Sequence, residues 1–221
     1  MQMGAAVSKG AVLPETVKSI VLDHHGLSAS GALVALSLTT MHCARRCWET
    51  HYLQVFSIGS KMNFLHYGAA LVHYATLILA IVGQAPLFCG NQNRQFLWKD
   101  GRPKTLYATC ILVFLVASYE QYKSNVILAN LRKSKKTGAV ITEEHGIPRG
   151  RMFQMISSPH RLCEIVLYFV IAALIPTRTM IIMSFWVFCN QIQSSVHAHE
   201  WYKKTFKNYP KSRHALLPYI I

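Results

Sequence analysis

The chain has 221 residues, of which 52% are apolar and 14% charged, well under the roughly 25% charge of an ordinary globular domain. With charge-free apolar runs long enough to cross a bilayer, this composition excludes a soluble domain and predicts a polytopic membrane protein. The net charge of +14 lies beside those runs, with neither a soluble basic face nor a groove-reading motif, so topology and anionic lipid account for it better than nucleic acid does.

Residues 1–25 include Glu15, Lys18 and Asp23 and read as a surface or linker segment, without the basic start and apolar core of a signal peptide. Apolar spans follow. The first, 26–44, is rich in Ala, Leu and Ser, and the second, 62–83, contains no charged residue. The third, 105–130, turns polar in its second half. The fourth, 162–175, is stopped by Pro176 and is short for a span unless it reaches back to Pro159. The fifth, 179–197, starts apolar and ends polar. The expected fold is all-α, a polytopic transmembrane helix bundle of about five spans. Residues 26–104 would hold the first two spans and their loop, and 105–221 a second unit.

Basic residues predict the orientation. If the spans alternate, one side receives Arg45, Arg46 and Lys61, the loop residues Arg132, Lys133, Lys135, Lys136, Arg149 and Arg151, and the tail residues Lys203, Lys204, Lys207, Lys211 and Arg213. Fewer fall on the other side, namely Lys9, Lys18, Arg94, Lys99, Arg102, Lys104 and Arg178. The loop and the C-terminus are therefore expected in the cytosol.

Polar side chains at membrane depth normally face the bundle interior. In the third span Gln121, Asn125, Leu128 and Arg132 recur at i, i+4, i+7 and i+11, which puts two amides and a guanidinium on one helix face. This stripe reads equally as a ligand cleft with an anion-binding mouth or as interhelical hydrogen bonding with an anchoring arginine. Ser195, His199 and Tyr202 repeat the spacing at the end of the fifth span. In the second span His66 and His73 share a face, as do Tyr67 and Tyr74, and the two histidines are expected to be neutral rings bonded to carbonyls or hydroxyls. His197 and His199 point about 200° apart on a helix, which disfavours a metal pair, and no metal site is expected. Cys43, Cys47, Cys89, Cys110, Cys163 and Cys189 show no CxxC spacing and read as small hydrophobes. Glu164 follows His160 by four residues and Arg161 by three. It either pairs locally in the first helical turn or aims a carboxylate inward, suited to ribose hydroxyls or a carboxamide.

Longer patterns add a family signal. The run Val126-Ile127-Leu128-Ala129-Asn130-Leu131-Arg132-Lys133 precedes His145-Gly146-Ile147-Pro148-Arg149-Gly150. Phe153 through Ser158, Pro159 and Glu164 come next, then Trp201-Tyr202 and the tail from Tyr209-Pro210-Lys211-Ser212-Arg213 to Ile221. Together they resemble the C-terminal domain of the steroid 5-alpha-reductase family, and within it they are most similar to the polyprenol (polyprenal) reductase branch. Upstream, His42, Arg45, Arg46 and Glu49 match the family's HxxRRxxE-like element after an early span. The resemblance runs from residue 40 to residue 221.

The resemblance implies a multi-pass endoplasmic-reticulum membrane enzyme whose 105–221 unit binds NADPH between helices without a Rossmann fold, in keeping with the lack of a GxGxxG motif. Carried over by position, the implied cofactor contacts are Gln121, Asn125, Arg132, His145, His160, Glu164 and Tyr202. Arg45 and Arg46 lie near the same mouth, where arginine suits a 2′-phosphate. The chain departs from the family at His160, where Asn is common, and at Gly146, where Arg is frequent. Relatives are expected to carry further N-terminal spans, which in steroid-reducing members supply the Glu and Tyr that hold the substrate ketone. Cys43 stands near that Tyr position, so no catalytic residue is assigned. The implied reaction reduces the alpha-isoprene double bond of polyprenol or polyprenal to dolichol or dolichal, for protein N-glycosylation. The substrate is a long-chain polyisoprenoid drawn from the lipid bilayer. Hydride addition needs an electron-poor double bond, which favours the conjugated aldehyde. The readings left open are reduction of steroid 4-ene-3-ones or enoyl thioesters, and a fragment that keeps the fold without activity. A transporter would be expected to show internal repeats, and none is visible.

Overall fold

Small side chains shape helix α1 (Ala29–Trp48), whose buried face is Ala29, Ala32, Ala35, Leu38, Thr39 and His42 in a computed structural model of the protein. That model describes residues 29–56, 61, 63–83, 103–134, 137, 140, 142 and 144–217. The expected 1–25 segment, Cys89, Arg94, Lys99, Arg102, Lys135, Lys136, the His66 side chain and the last residues from Pro218 lie outside the described residues. α1 runs directly into a π-helical turn, Glu49–Leu53. Such turns are rare and cluster at functional sites.

Helix α2 (Phe64–Val82) is capped by Asn63, whose side chain accepts from the Leu65 N–H at 2.9 Å. Helix α3 (Lys104–Asn130) starts after Pro103 and is about 40 Å long at 1.5 Å per residue. Its buried face changes character along its length, from Cys110, Phe114 and Ala117 to Ser118, Gln121, Ser124 and Asn125. Helix α4 (Pro159–Leu174) has proline at its first position, where the missing N–H costs nothing. The helix over the expected fourth span thus starts at Pro159. Thr177 caps helix α5 (Arg178–Thr205) by accepting from the Met180 N–H at 3.2 Å. α5 continues eight residues beyond the apolar span that ends at His197, because helical periodicity persists where apolarity does not.

Among the described residues the fold is all-α, with isolated β-bridges outside the helices. α4 lies at the centre, against α3 on one side and α5 on the other, and α1 packs on α2, α3 and α4. Leu38, Leu77, Ile81, Phe114, Leu167 and Met180 meet in the core. Among the described residues no helix is long and apolar enough to cross a membrane.

Two irregular segments finish the polar end. Between α3 and α4, Gly150 (φ 94°) and Arg151 (φ 47°) turn the chain into a 3-10 turn, Arg151–Gln154, and Arg151 pairs with Glu120 of α3. After α5 the tail folds back: the Ser157 N–H donates to the His214 carbonyl at 2.8 Å, and the His214 N–H to the Met155 carbonyl at 2.9 Å.

Candidate functional site

The polar end of α3 faces the start of α4, the π-helical turn after α1 and the far end of α5. A crevice of about 320 Å³ opens between them, lined among others by Asn125, Arg132, His145, His160, Arg161 and Tyr202. A second cavity of about 390 Å³ adjoins it, sharing Asn125, His160 and Arg161 and adding Arg46, Gln121 and Glu164. Of the residues implied as cofactor contacts, Asn125, Arg132, His145, His160 and Tyr202 therefore meet in the crevice. Gln121 and Glu164 stand one cavity deeper, where Asn125 and His160 also reach.

Arg132 is held at the mouth. Its Nη1 donates to the Val55 carbonyl at 2.6 Å, and its Nη2 lies 3.0 Å from His145 Nε2. Neighbouring Lys133 donates to the Leu53 carbonyl at 3.0 Å, so two cations just past the end of α3 stitch it to the end of the π-helical turn and the residues after it. His145 packs edge-on against Trp201, with ring centres 5.0 Å apart. Tyr202 stacks on Tyr209 at 5.4 Å and 9° between planes, so the returning tail backs one wall of the crevice.

Beneath the mouth lies a carboxylate that periodicity alone did not single out. Glu49 is fully buried and takes hydrogen bonds from Arg45, from Arg46 Nη1 at 2.5 Å and from Asn125 Nδ2 at 2.8 Å. Arg45 also donates to Gln121 Oε1. Gln121 passes the chain on, donating from Nε2 to the His160 carbonyl at 3.0 Å and to Glu164 Oε2 at 2.5 Å. His42 Nε2 stands 3.4 Å from the other Glu164 oxygen. Glu164 thus points inward toward α1 and α3. Arg161, its neighbour in sequence, instead donates to Gln191 of α5 at 3.1 Å.

Not every polar atom here is satisfied. His160 Nδ1 and Arg161 Nε are buried without a hydrogen-bond partner among the described residues. Buried groups left so are costly, and both residues line the crevice. This pair, with Arg132 at the mouth, fits an anionic, hydrogen-bonding guest such as a dinucleotide.

The outer wall is pinned by Ser157. Its Oγ lies 2.7 Å from His199 Nδ1 and 2.5 Å from the Tyr209 hydroxyl, and it donates to the His214 carbonyl at 3.0 Å. Burial holds the His199 imidazole below its ordinary value, and the charges of Lys203, His214 and Arg213 add to the effect. Burial likewise raises Tyr202, with Tyr209 beside it. His73 follows the expectation of a ring bonded to a hydroxyl, with Nε2 at 2.6 Å from the Tyr168 oxygen.

Among the described residues, all-α packing surrounds a crevice and an adjoining cavity lined by Arg132, Arg161 and Arg46, which defines a helical protein with a basic cleft. The family model described as 3-oxo-5-alpha-steroid 4-dehydrogenase matches residues 61–221, and the chain belongs to that family. It is similar to the polyprenal reductase of Drosophila melanogaster, 39% identical over 198 residues, covering 88% of this chain and 60% of that protein. It is also similar to polyprenal reductases of Homo sapiens (33% over 202 residues, 88% and 61%) and Saccharomyces cerevisiae (30% over 181 residues, 81% and 61%). The chain thus spans about 60% of the length of the curated relatives it matches.

Proposed function

We propose that the chain is the cofactor-binding part of a membrane-embedded reductase that uses NADPH to convert polyprenal to dolichal. The observation that carries this reading is the meeting of Asn125, Arg132, His145, His160 and Tyr202, from three helices and a loop, in one crevice. Similarity to polyprenal reductases supports the substrate class.

A bound reduced nicotinamide supplies the hydride. The protein's part is to hold and orient. Arg132, with guanidinium protons left over after Val55 and His145, suits the 2′-phosphate that separates NADPH from NADH. His160 and Arg161 line the same crevice, the arginine as a second cation for the sugar-phosphate chain. Glu164, fixed by Gln121, accepts from a ribose hydroxyl or carboxamide at the deep end.

Membrane residence is supported by an exposed apolar belt. Leu65 (77%), Val72 (66%), Leu112 (63%) and Ile182 (66%) stand uncovered on α2, α3 and α5, more apolar surface than a water-soluble fold leaves bare. In this reading the crevice and the C-terminal tail face the cytosol across the endoplasmic-reticulum membrane, and the substrate enters from the bilayer.

The test supplies membranes containing the chain with NADPH and polyprenal, and assays dolichal by mass spectrometry. NADPH-dependent dolichal is the expected product. A chain that leaves polyprenal untouched but reduces a steroid 4-ene-3-one would overturn the substrate assignment.

A further inference from the structure

A third cavity, of about 680 Å³, lies on the far side of Glu164, between α2, α4 and α5. Tyr74, Glu164 and Gln191 line both it and the middle cavity, which in turn shares Asn125 and His160 with the crevice. The three spaces therefore run end to end, from basic mouth to apolar flank. On that flank Val72, Ile182 and Trp186 line the cavity and are exposed at its rim.

Two polar side chains on this apolar wall have no part in the crevice. Tyr168 of α4 is 3% exposed, and its hydroxyl lies 2.6 Å from His73 Nε2 of α2. Ser184 of α5 donates to the Tyr168 carbonyl at 3.2 Å, so three helices fix this residue. When His73 carries its hydrogen on Nε2 it donates to the phenolic oxygen. The phenol's own hydrogen is then left to face the cavity.

We propose that Tyr168, held by His73, binds the carbonyl oxygen of the substrate in this cavity and donates the proton that the reduction needs. The isoprenoid tail leaves between α2 and α5. The proposal rests on the reductase reading and assigns it a proton donor. As the β-carbon gains a hydride from the reduced nicotinamide, the electron pair of the double bond shifts toward the carbonyl and charge gathers on oxygen. The Tyr168 O–H bond breaks and a new O–H bond forms there, giving an enol, which becomes the saturated aldehyde by shifting one proton to the α-carbon. Water reprotonates the phenolate through His73. One hydride and one proton have then added across the double bond, and the nicotinamide is oxidised. Tyr168 is the catalytic residue here, and His73 a positioning residue.

The test compares Tyr168→Phe and His73→Gln with the unaltered chain in membranes, using a polyprenal whose carbonyl carbon is carbon-13. Tyr168→Phe is expected to lower kcat by about 100-fold while the KM for NADPH stays unchanged. With NADP+ bound, so that no turnover occurs, the carbonyl stretch of the bound aldehyde should lie at lower frequency in the unaltered chain than in Tyr168→Phe. His73→Gln should give an intermediate frequency and roughly a tenfold loss of kcat, and it carries the test if Tyr168→Phe no longer binds NADPH. Unchanged kcat and carbonyl stretch in both variants, beside an active unaltered chain, overturn the role of Tyr168 and leave the reductase reading intact. An unaltered chain that binds no NADPH and reduces no polyprenal overturns both.

Discussion

Asn125 donates to Glu49 at 2.8 Å across 76 residues of chain, joining the polar face of α3 to the first residue of the π-helical turn. The same carboxylate pairs with both Arg45 and Arg46, whose side chains are 17% and 29% exposed. Glu49→Gln keeps the size and removes the charge, stranding two cations. Breaking a buried pair costs about 3–5 kcal/mol, and the partial exposure of both arginines puts this case near 3 kcal/mol. Thermal unfolding in detergent should show a lower midpoint for Glu49→Gln, and an unchanged midpoint would contradict a structural role for this carboxylate.

In the proposed reading Arg132 is the residue that tells NADPH from NADH. Arg132→Ala should weaken NADPH roughly 10- to 100-fold, the worth of a charge-assisted hydrogen bond or two, with a much smaller effect on NADH. Fluorescence titration with both cofactors measures this directly. Equal losses would argue that Arg132 acts only by holding Val55 and His145.

Gly150 and Arg151 lie in the left-handed region, at φ 94° and φ 47°. A Cβ on Gly150 would meet nothing within 4 Å, so Gly150→Ala tests backbone conformation alone. It should cost about 1–2 kcal/mol and loosen the His145 side of the crevice. Arg151→Gly relieves strain while losing the exposed pair with Glu120, and should stay within about 1 kcal/mol of the parent. Chemical denaturation with cofactor titration checks both.

His199 gives the tail a pH dependence. Its folded pKa is lowered, chiefly by burial, so below the ordinary value near 6.5 the folded state binds fewer protons than the unfolded one. Stability is then complete above about pH 6.5 and declines as the pH falls below it. Midpoints measured from pH 8 downward should fall less in His199→Gln, which cannot take up that proton. Parallel profiles would remove His199 from the account.

The Gln121–Arg132 stripe was legible in sequence because one helix carries it and periodicity fixes which residues share a face. The structure splits it by depth: Asn125, Leu128 and Arg132 line the crevice, while Gln121 is drawn down to Glu164. Partnerships between helices were not legible. Spacing suggested Arg161 for Glu164, yet Arg161 reaches Gln191 and the carboxylate meets Gln121 and His42. The central place of Glu49 depends on a π-helical turn, which leaves no mark in hydropathy. The polar end of α5 carries no apolar signal, so hydropathy marks the segment only to His197 while the helix runs to Thr205.

The backfolded tail has a consequence for biosynthesis. The His214 strap onto Met155 and Ser157, and the Tyr209 ring behind Tyr202, follow the five described helices in the chain and so are made after them. The five described helices can pack while this wall is still missing. A stop ahead of Tyr209 should therefore leave the helices packed but the crevice without its outer wall and, in the proposed reading, without a hold on its nucleotide.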